Sequence, residues 1–299
     1  MTEYALEVEN LRKSFGGHVA VDDVSFSLKP GGSLAIVGES GSGKTTTARM
    51  LVGLERPDSG RIRVVGRDRS NAARGKATRL ARARELQMVF QDPYLSLDPR
   101  VSVAQCVEEP LRLHFGMSPR ERRARRDELL ERVGLGEREA DALPRRLSGG
   151  QRQRVAIARA LATEPKVLIL DEATAALDVS IQAQILDLLA EIRRDTGVGY
   201  LFVTHNLALV RHIADDILVL YQGRVVESGP TRDVLAAPEH PYTRLLLHSV
   251  PRPGWDPAQI AADRRALATA LREARAPSAA AEPARHDPDA APTRRSVTP

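Results

Sequence analysis

Cysteine is almost missing from this chain: Cys106 stands alone among 299 residues. That excludes an intrachain disulfide and any metal centre built from cysteines. Long apolar runs are missing as well. No stretch approaches the roughly 18 consecutive apolar residues that span a bilayer, although hydrophobic residues make up 42% of the chain and charged ones 28%. Those proportions fit a globular domain. Residues 1–9 lack a basic segment followed by an apolar core, so a secretory signal is not expected and a cytoplasmic setting is. Lysine is scarce too, with five against 39 arginines in a chain of net charge +5. Residues 61–84 concentrate nine basic side chains against one acid, Asp68. Aromatics are only 4% of the chain and none interleaves that stretch for base stacking. A solvated basic helix face is therefore expected there, ahead of a nucleic-acid or lipid patch.

What is present centres on Gly38-Glu39-Ser40-Gly41-Ser42-Gly43-Lys44-Thr45-Thr46. Leu34-Ala35-Ile36-Val37 ahead of it is a short apolar run of the buried-strand kind. Residues 47–54 behind it carry helix formers, with Met50, Leu51 and Leu54 apolar. A strand, a glycine-rich loop and a helix form the context that the phosphate-binding pattern G-x-x-x-x-G-K-[ST] requires. Glycines let successive backbone N–H groups curl around phosphate oxygens, and the helix adds its positive end. Lys44 is placed for the terminal phosphates and the Thr45 hydroxyl for Mg²⁺.

Other segments take their meaning from that loop. Residues 4–28 alternate apolar and polar side chains, which predicts antiparallel strands turning at Gly16-Gly17. Phe15, just before the turn, suits either edge packing or stacking on a nucleotide base. Leu86-Gln87-Met88-Val89-Phe90 reads as a strand running into Gln91, where ligand-binding residues of α/β proteins tend to sit. Residues 101–150 read as helical throughout, an insertion between strands of the main sheet. Ser118-Pro119-Arg120-Glu121 predicts a capping box, and the arginines at 120–126 a solvated face. Ser148-Gly149-Gly150-Gln151 leads into a helix and suits either an ordinary N-cap or a second anion-binding terminus. Val167-Leu168-Ile169-Leu170 is an apolar strand ending in two acids. Asp171 stands where P-loop enzymes place the Mg²⁺-supporting carboxylate, and Glu172 where a base would take a proton from attacking water. Tyr200-Leu201-Phe202-Val203 is a third core strand, ending at His205. The fold these elements predict is α/β: a P-loop NTPase core with a mostly parallel sheet, an N-terminal antiparallel subdomain and a helical insertion.

In order, these motifs resemble the ATP-binding subunit of ABC transporters over roughly residues 6–250. Residues 38–45 match Walker A, Gln91 the Q-loop, residues 147–151 the signature and residues 167–171 Walker B. Glu172 matches the catalytic glutamate, Asp178 belongs to the D-loop, His205 matches the switch histidine and Phe15 the aromatic that stacks on adenine. Two stretches narrow the resemblance to oligopeptide and dipeptide importers. They are residues 88–100 around Gln91 and His240-Pro241-Tyr242-Thr243-Arg244-Leu245-Leu246 in a C-terminal extension of about residues 229–253. Ala173 and Ala175 depart from the subclass pattern, and with Cys106 alone the chain cannot build the cysteine cluster some members carry. A domain spanning residues 1–253 is expected, then a short helix within 254–276 and a proline-rich disordered tail at 277–299.

The resemblance implies ATP and Mg²⁺ as ligands, the ion held by Thr45, Gln91 and Asp171. ATP is expected between residues 38–46 of one subunit and Ser148, Gly149, Gly150, Gln151 and Asp178 of another. The second ATPase subunit would be a paralogue or another copy of the chain. Two membrane permeases and, indirectly, an extracytoplasmic solute-binding protein complete the implied assembly, at the cytoplasmic face of the membrane. An exporter ATPase, a nickel or other solute importer and a nucleic-acid-associated ABC ATPase are the competing readings; nucleic acid is not expected as a partner.

Overall fold

A computed structural model describes residues 3–92, 96–175 and 177–249, together with Ala262, Arg265, Ala266, Leu267 and Thr269. Strands β1 (Leu6–Phe15) and β2 (His18–Leu28) form an antiparallel hairpin through Gly16-Gly17. With β4 (Ser59–Val64) and β5 (Arg67–Asp68) they make a four-stranded sheet ordered β2-β1-β4-β5. Alternation along these strands puts Leu6, Val8, Leu11, Val21, Val24, Ile62 and Val64 on the buried face. They share one core with Leu34 and Ile36 of β3 (Ser33–Val37) and with Ala48, Met50 and Leu51 of α1 (Lys44–Val52). Each large side chain buried there stabilises by about 1.5–3 kcal/mol, and Leu11→Ala would cost about 2–5 kcal/mol through the cavity it leaves.

The second sheet has six strands, ordered β10-β9-β3-β8-β7-β6. Its members β6 (Leu86–Val89), β7 (Val167–Asp171), β8 (Gly199–Thr204) and β9 (Asp216–Tyr221) run parallel with β3, while β10 (Arg224–Pro230) returns antiparallel on β9. Strands β3, β7 and β8 are apolar runs buried on both faces, one face packed against α1 and the antiparallel sheet. The register Val37↔Thr204 and Asp171↔Val203 brings the carboxyl ends of β3, β8 and β7 to one edge.

Between β6 and β7 lie α3 (Val103–His114), α4 (Pro119–Arg132), a short α5 (Glu137–Ala140) and α6 (Gly149–Leu161). Ser102 with Gln105 and Ser118 with Glu121 are full capping boxes. Val103, Val107 and Leu111 of α3 and Leu129 and Leu130 of α4 are buried. The arginines at 120–126 are not simply a solvated face. Arg122 and Arg126 pair with Glu108 of α3, and Arg125 with Glu128 and Glu164. The basic stretch at 61–84 divides in the same way. Helix α2 (Lys76–Glu85) buries no residue, but the side chain of Arg69 is buried against Glu85. A carboxylate within reach, set by tertiary packing, decides each case.

Helices α7 (Val179–Thr196), α8 (Leu207–Ile213), α9 (Thr231–Ala236) and α10 (Pro241–His248) complete the first compact unit. Among the described residues no helix is long and apolar enough to cross a membrane. In the second unit the five described residues are helical. The rest of the short helix expected within 254–276, and the whole tail at 277–299, lie outside the described residues.

Candidate functional site

The loop from Gly38 to Gly43 leaves β3 and turns directly into α1. Helix α1 has no side-chain cap: Gly43 sits at its N-cap with φ 103°. A Cβ on Gly43 would strike the Ala20 carbonyl oxygen, so backbone packing and torsion both demand glycine. Ser42 accepts from Gly223 N–H at its carbonyl (3.0 Å), while its buried hydroxyl oxygen has no hydrogen-bond partner among the described residues. Ser40 and Gly41 are exposed at the tip. Lys44 is buried, and its Nζ donates to the carbonyls of Gly38 (2.8 Å) and Glu39 (2.9 Å). Burial pushes its ammonium pKa down, against the pull of Glu172, Asp171 and Glu39. An uncapped helix start above a curled, glycine-built backbone is a geometry that fits phosphate oxygens.

The paired acids come to the same edge. Thr45 Oγ1 donates to Asp171 Oδ1 at 3.3 Å across 126 residues of sequence. Burial raises the Asp171 pKa above the ordinary carboxylate value; the Thr45 hydroxyl works against that, and neighbouring Glu172 adds to it. A hydroxyl and a carboxylate meeting at a buried strand end form an oxygen donor set suited to a hard cation such as Mg²⁺, whose charge would relieve the burial of Asp171. Glu172 has a left-handed backbone (φ 47°), and its N–H donates to Val203 O (2.8 Å). That twist turns its carboxylate toward His205, whose Nδ1 lies 3.2 Å from Glu172 Oε1. Thus β3, β7 and β8 together place Lys44, Thr45, Asp171, Glu172 and His205. Thr46, half-buried, continues α1 beside them.

Other expected residues stand apart. Ser148 caps its own helix, its Oγ accepting from Gln151 N–H (3.2 Å) while Gln151 Oε1 accepts from Ser148 N–H (3.0 Å). A Cβ on Gly150 would lie 2.7 Å from Ile181 Cγ2, and one on Gly149 3.4 Å from Leu177 Cδ2. These glycines therefore serve close approach to the start of α7. Among the described residues no hydrogen bond links residues 148–151 to residues 38–46. Asp178 occupies the N-cap of α7 without a side-chain cap bond, next to Val179, 83% exposed. Gln91 is exposed two residues beyond β6 and makes no hydrogen bond to Thr45 or Asp171. Phe15 is half-exposed, with Lys13 Nζ 5.1 Å from its ring centroid. That leaves a ring face at the hairpin turn rather than a packed edge.

The back of the loop comes from a part of the chain to which sequence reasoning assigned no such role. Glu39 N–H donates to Tyr242 Oη (2.8 Å), and Tyr242 is buried against Tyr221. The signal was the residue 240–246 motif, visible in sequence only as a subclass mark. Arg152 was likewise invisible. It is buried in α6, and its Nε donates to Pro144 O (3.1 Å), fixing the approach to Ser148.

Comparison with known proteins gives a consistent set of likenesses. The profile of the ABC transporter family matches residues 21–175, and that of the oligopeptide/dipeptide transporter C-terminal region matches residues 226–275. The chain is 45% identical over 251 residues to the di/tripeptide transport ATP-binding protein DppF of Pseudomonas aeruginosa, covering 83% of this chain and 77% of that one. It is 48% identical over 249 residues to the oligopeptide transport ATP-binding protein OppD of Mycobacterium tuberculosis. That match covers 83% of this chain but 40% of the relative, so the chain spans less than half of that protein. Among solved structures it resembles the dimeric ATP-binding cassette MJ0796 bound to ADP and Pi, with a TM-score of 0.69 and 32% identity. The alignment covers 76% of this chain and 99% of the cassette.

Proposed function

The chain belongs to the ATP-binding subunits of ABC transporters, and on that premise we propose that it hydrolyses ATP to power a peptide importer. The observation that carries the chemistry is the meeting of Thr45 with Asp171 beside the Glu172–His205 pair. Lys44 and the backbone of residues 38–46 bind the phosphates. Thr45 and Asp171 would hold Mg²⁺, with Gln91, which stands exposed beyond β6, as the expected third protein partner, and the ion would neutralise charge on the phosphate oxygens. Glu172 accepts the proton of the attacking water, and His205 orients that carboxylate from 3.2 Å. Phe15 offers a face for the adenine ring.

The signature residues act in trans. Ser148, Gly149, Gly150 and Gln151 form a completed helix cap of their own, while the phosphates are served by residues 38–46. With the uncapped Asp178, they meet nucleotide bound to a second ATPase subunit, a paralogue or another copy of this chain. The solved relative is dimeric, which supports this arrangement. Two membrane permeases complete the transporter, a solute-binding protein delivers cargo to them, and the chain sits peripherally on the cytoplasmic face.

Peptide cargo rests on the oligopeptide/dipeptide C-terminal region together with relatives named for di/tripeptide and oligopeptide transport. A deletion strain tests it through growth on di- and oligopeptides as sole amino-acid source, beside uptake of nickel and sugars. Lost peptide growth is expected, and loss of nickel uptake alone would move the cargo elsewhere. Mixing Lys44→Ala with Ser148→Arg chains tests the in-trans assignment, at a concentration where the natural chain hydrolyses ATP by itself. The mixture rebuilds one whole site and should exceed both parents; a dead mixture overturns the arrangement.

A further inference from the structure

The phosphate loop is held from behind by the C-terminal part of the same unit. Glu39, the first residue after Gly38, is pinned on both sides of its backbone. Its N–H donates to Tyr242 Oη at 2.8 Å, and its carbonyl accepts from Lys44 Nζ at 2.9 Å. Tyr242 lies 203 residues further along the chain and is 1% exposed. Its ring centroid is 4.2 Å from that of Tyr221, the last residue of β9. Just past Tyr221, Gly223 N–H donates to Ser42 O, so the loop has a second tether to the same region.

Tyr242 is itself fixed in place. It sits in the first turn of α10, where His240 Nδ1 accepts from Tyr242 N–H (3.1 Å). The carboxylate of Glu227 in β10 accepts from the N–H groups of Glu239 (2.8 Å) and His240 (3.1 Å), fastening the entry to that helix. A buried apolar position needs only a ring, and phenylalanine would supply one. A hydroxyl aimed at a loop amide does something a ring cannot: it satisfies a backbone donor that is costly to leave unpaired.

We propose that Tyr242 is a positioning residue for the phosphate loop, through which the C-terminal extension sets the affinity for ATP. The affinity part rests on the reading that residues 38–46 bind the phosphates. Tyr242 touches no nucleotide in this account. It fixes the peptide from which the loop departs and against which Lys44 is arranged, so that loop order is in place before ATP arrives. A partner that displaced α10 would loosen the loop and weaken ATP binding without entering the site.

The test uses the full chain with Tyr242→Phe, which keeps the ring and removes the hydroxyl. Two quantities are read well below the melting temperature: the Kd for Mg·ATP, and amide hydrogen exchange across residues 38–44. Kd is expected to rise about five- to twentyfold, and loop exchange to accelerate about tenfold while α6 is unchanged. In steady state the change should fall on KM, with kcat at saturating ATP kept within about twofold. A Kd within twofold of the natural chain, or loop exchange left unchanged, overturns the proposal. Lys44→Ala separates the two readings. If it binds ATP as the natural chain does, the phosphate-loop assignment fails, while exchange still reports whether Tyr242 orders the loop. Should Tyr242→Phe fail to fold, Glu227→Gln loosens the same helix entry without altering the Tyr221–Tyr242 packing, and both readouts apply to it unchanged.

Discussion

Helices α1 and α6 both begin at a serine–glycine sequence, yet the two starts are physically different. At α1 the chain arrives through Gly43 in a left-handed conformation, with no side chain bonded to the first-turn amides. At α6 the chain arrives through Ser148 in an extended conformation, and Ser148 and Gln151 complete a reciprocal cap. Glycine serves torsion and backbone clearance in the first and side-chain clearance against Ile181 in the second. An open helix start has N–H groups to offer a bound anion; a capped one has already spent some of them internally. Similar composition therefore yields an open helix start in one place, which we propose as the socket for phosphate, and a preformed cap in the other, which we propose meets a partner's nucleotide.

The largest effect expected leaves both helix starts intact and provides the baseline. Glu172→Gln should keep ATP binding and lower turnover by about 10²-fold or more, because an amide cannot take the proton. Single-turnover hydrolysis measures it, and near-normal turnover would move the base elsewhere, with His205 next in line. The comparison itself is tested by binding to the isolated chain. Lys44→Ala should weaken ATP affinity about 30- to 100-fold through loss of the charged contact, whereas Ser148→Arg should leave it within about twofold. Equal losses in the two would erase the distinction between the starts. Gly43→Ala then sharpens it, since the added Cβ meets a backbone carbonyl at a positive φ. We expect about 1–3 kcal/mol of lost stability. Gly150→Ala meets only the side chain of Ile181 and gains about 1 kcal/mol of helix propensity, so its melting temperature should fall less than that of Gly43→Ala. The smallest effect is Ser148→Ala, about 1 kcal/mol for the lost cap, read as a modest drop in melting temperature.

A pH series adds a check on the C-terminal region. Burial works against the Glu227 carboxylate, but hydrogen bonds that include the amides of Glu239 and His240 outweigh it and hold the pKa below the usual glutamate value. A depressed folded pKa contributes stability above the unfolded value and loses it as pH falls toward the folded one. The melting temperature of the natural chain should therefore fall more steeply than that of Glu227→Gln as pH drops through the ordinary glutamate range.

Much of the site was legible because its chemistry is local. The loop at 38–46, the acids closing Val167-Leu168-Ile169-Leu170 and the histidine closing the 200–203 strand each carry their meaning in a few consecutive residues. The capping box at Ser118 is also local, since four residues suffice to satisfy the amides. At Ser148 the sequence left an N-cap and an anion site open, and the reciprocal bond with Gln151 came from the structure. Arg69, Arg122 and Arg126 were not legible as paired charges, because their carboxylates at Glu85 and Glu108 come from other turns of the chain. Nor were the glycines at 149–150, whose requirement is set by side chains at Leu177 and Ile181.

By itself, the sequence determined the strand–loop–helix element, the apolar strands that run into the paired acids and the histidine, and the family. Hydrophobic period and the torsional freedom of glycine act over a few residues and need no partner. Tertiary structure alone decided which strand ends lie side by side, that Thr45 reaches Asp171, and that Glu39 is held by Tyr242. Those contacts join residues 126 and 203 positions apart. Only strand order β9-β3-β8-β7 and the docking of α10 bring them within hydrogen-bond distance.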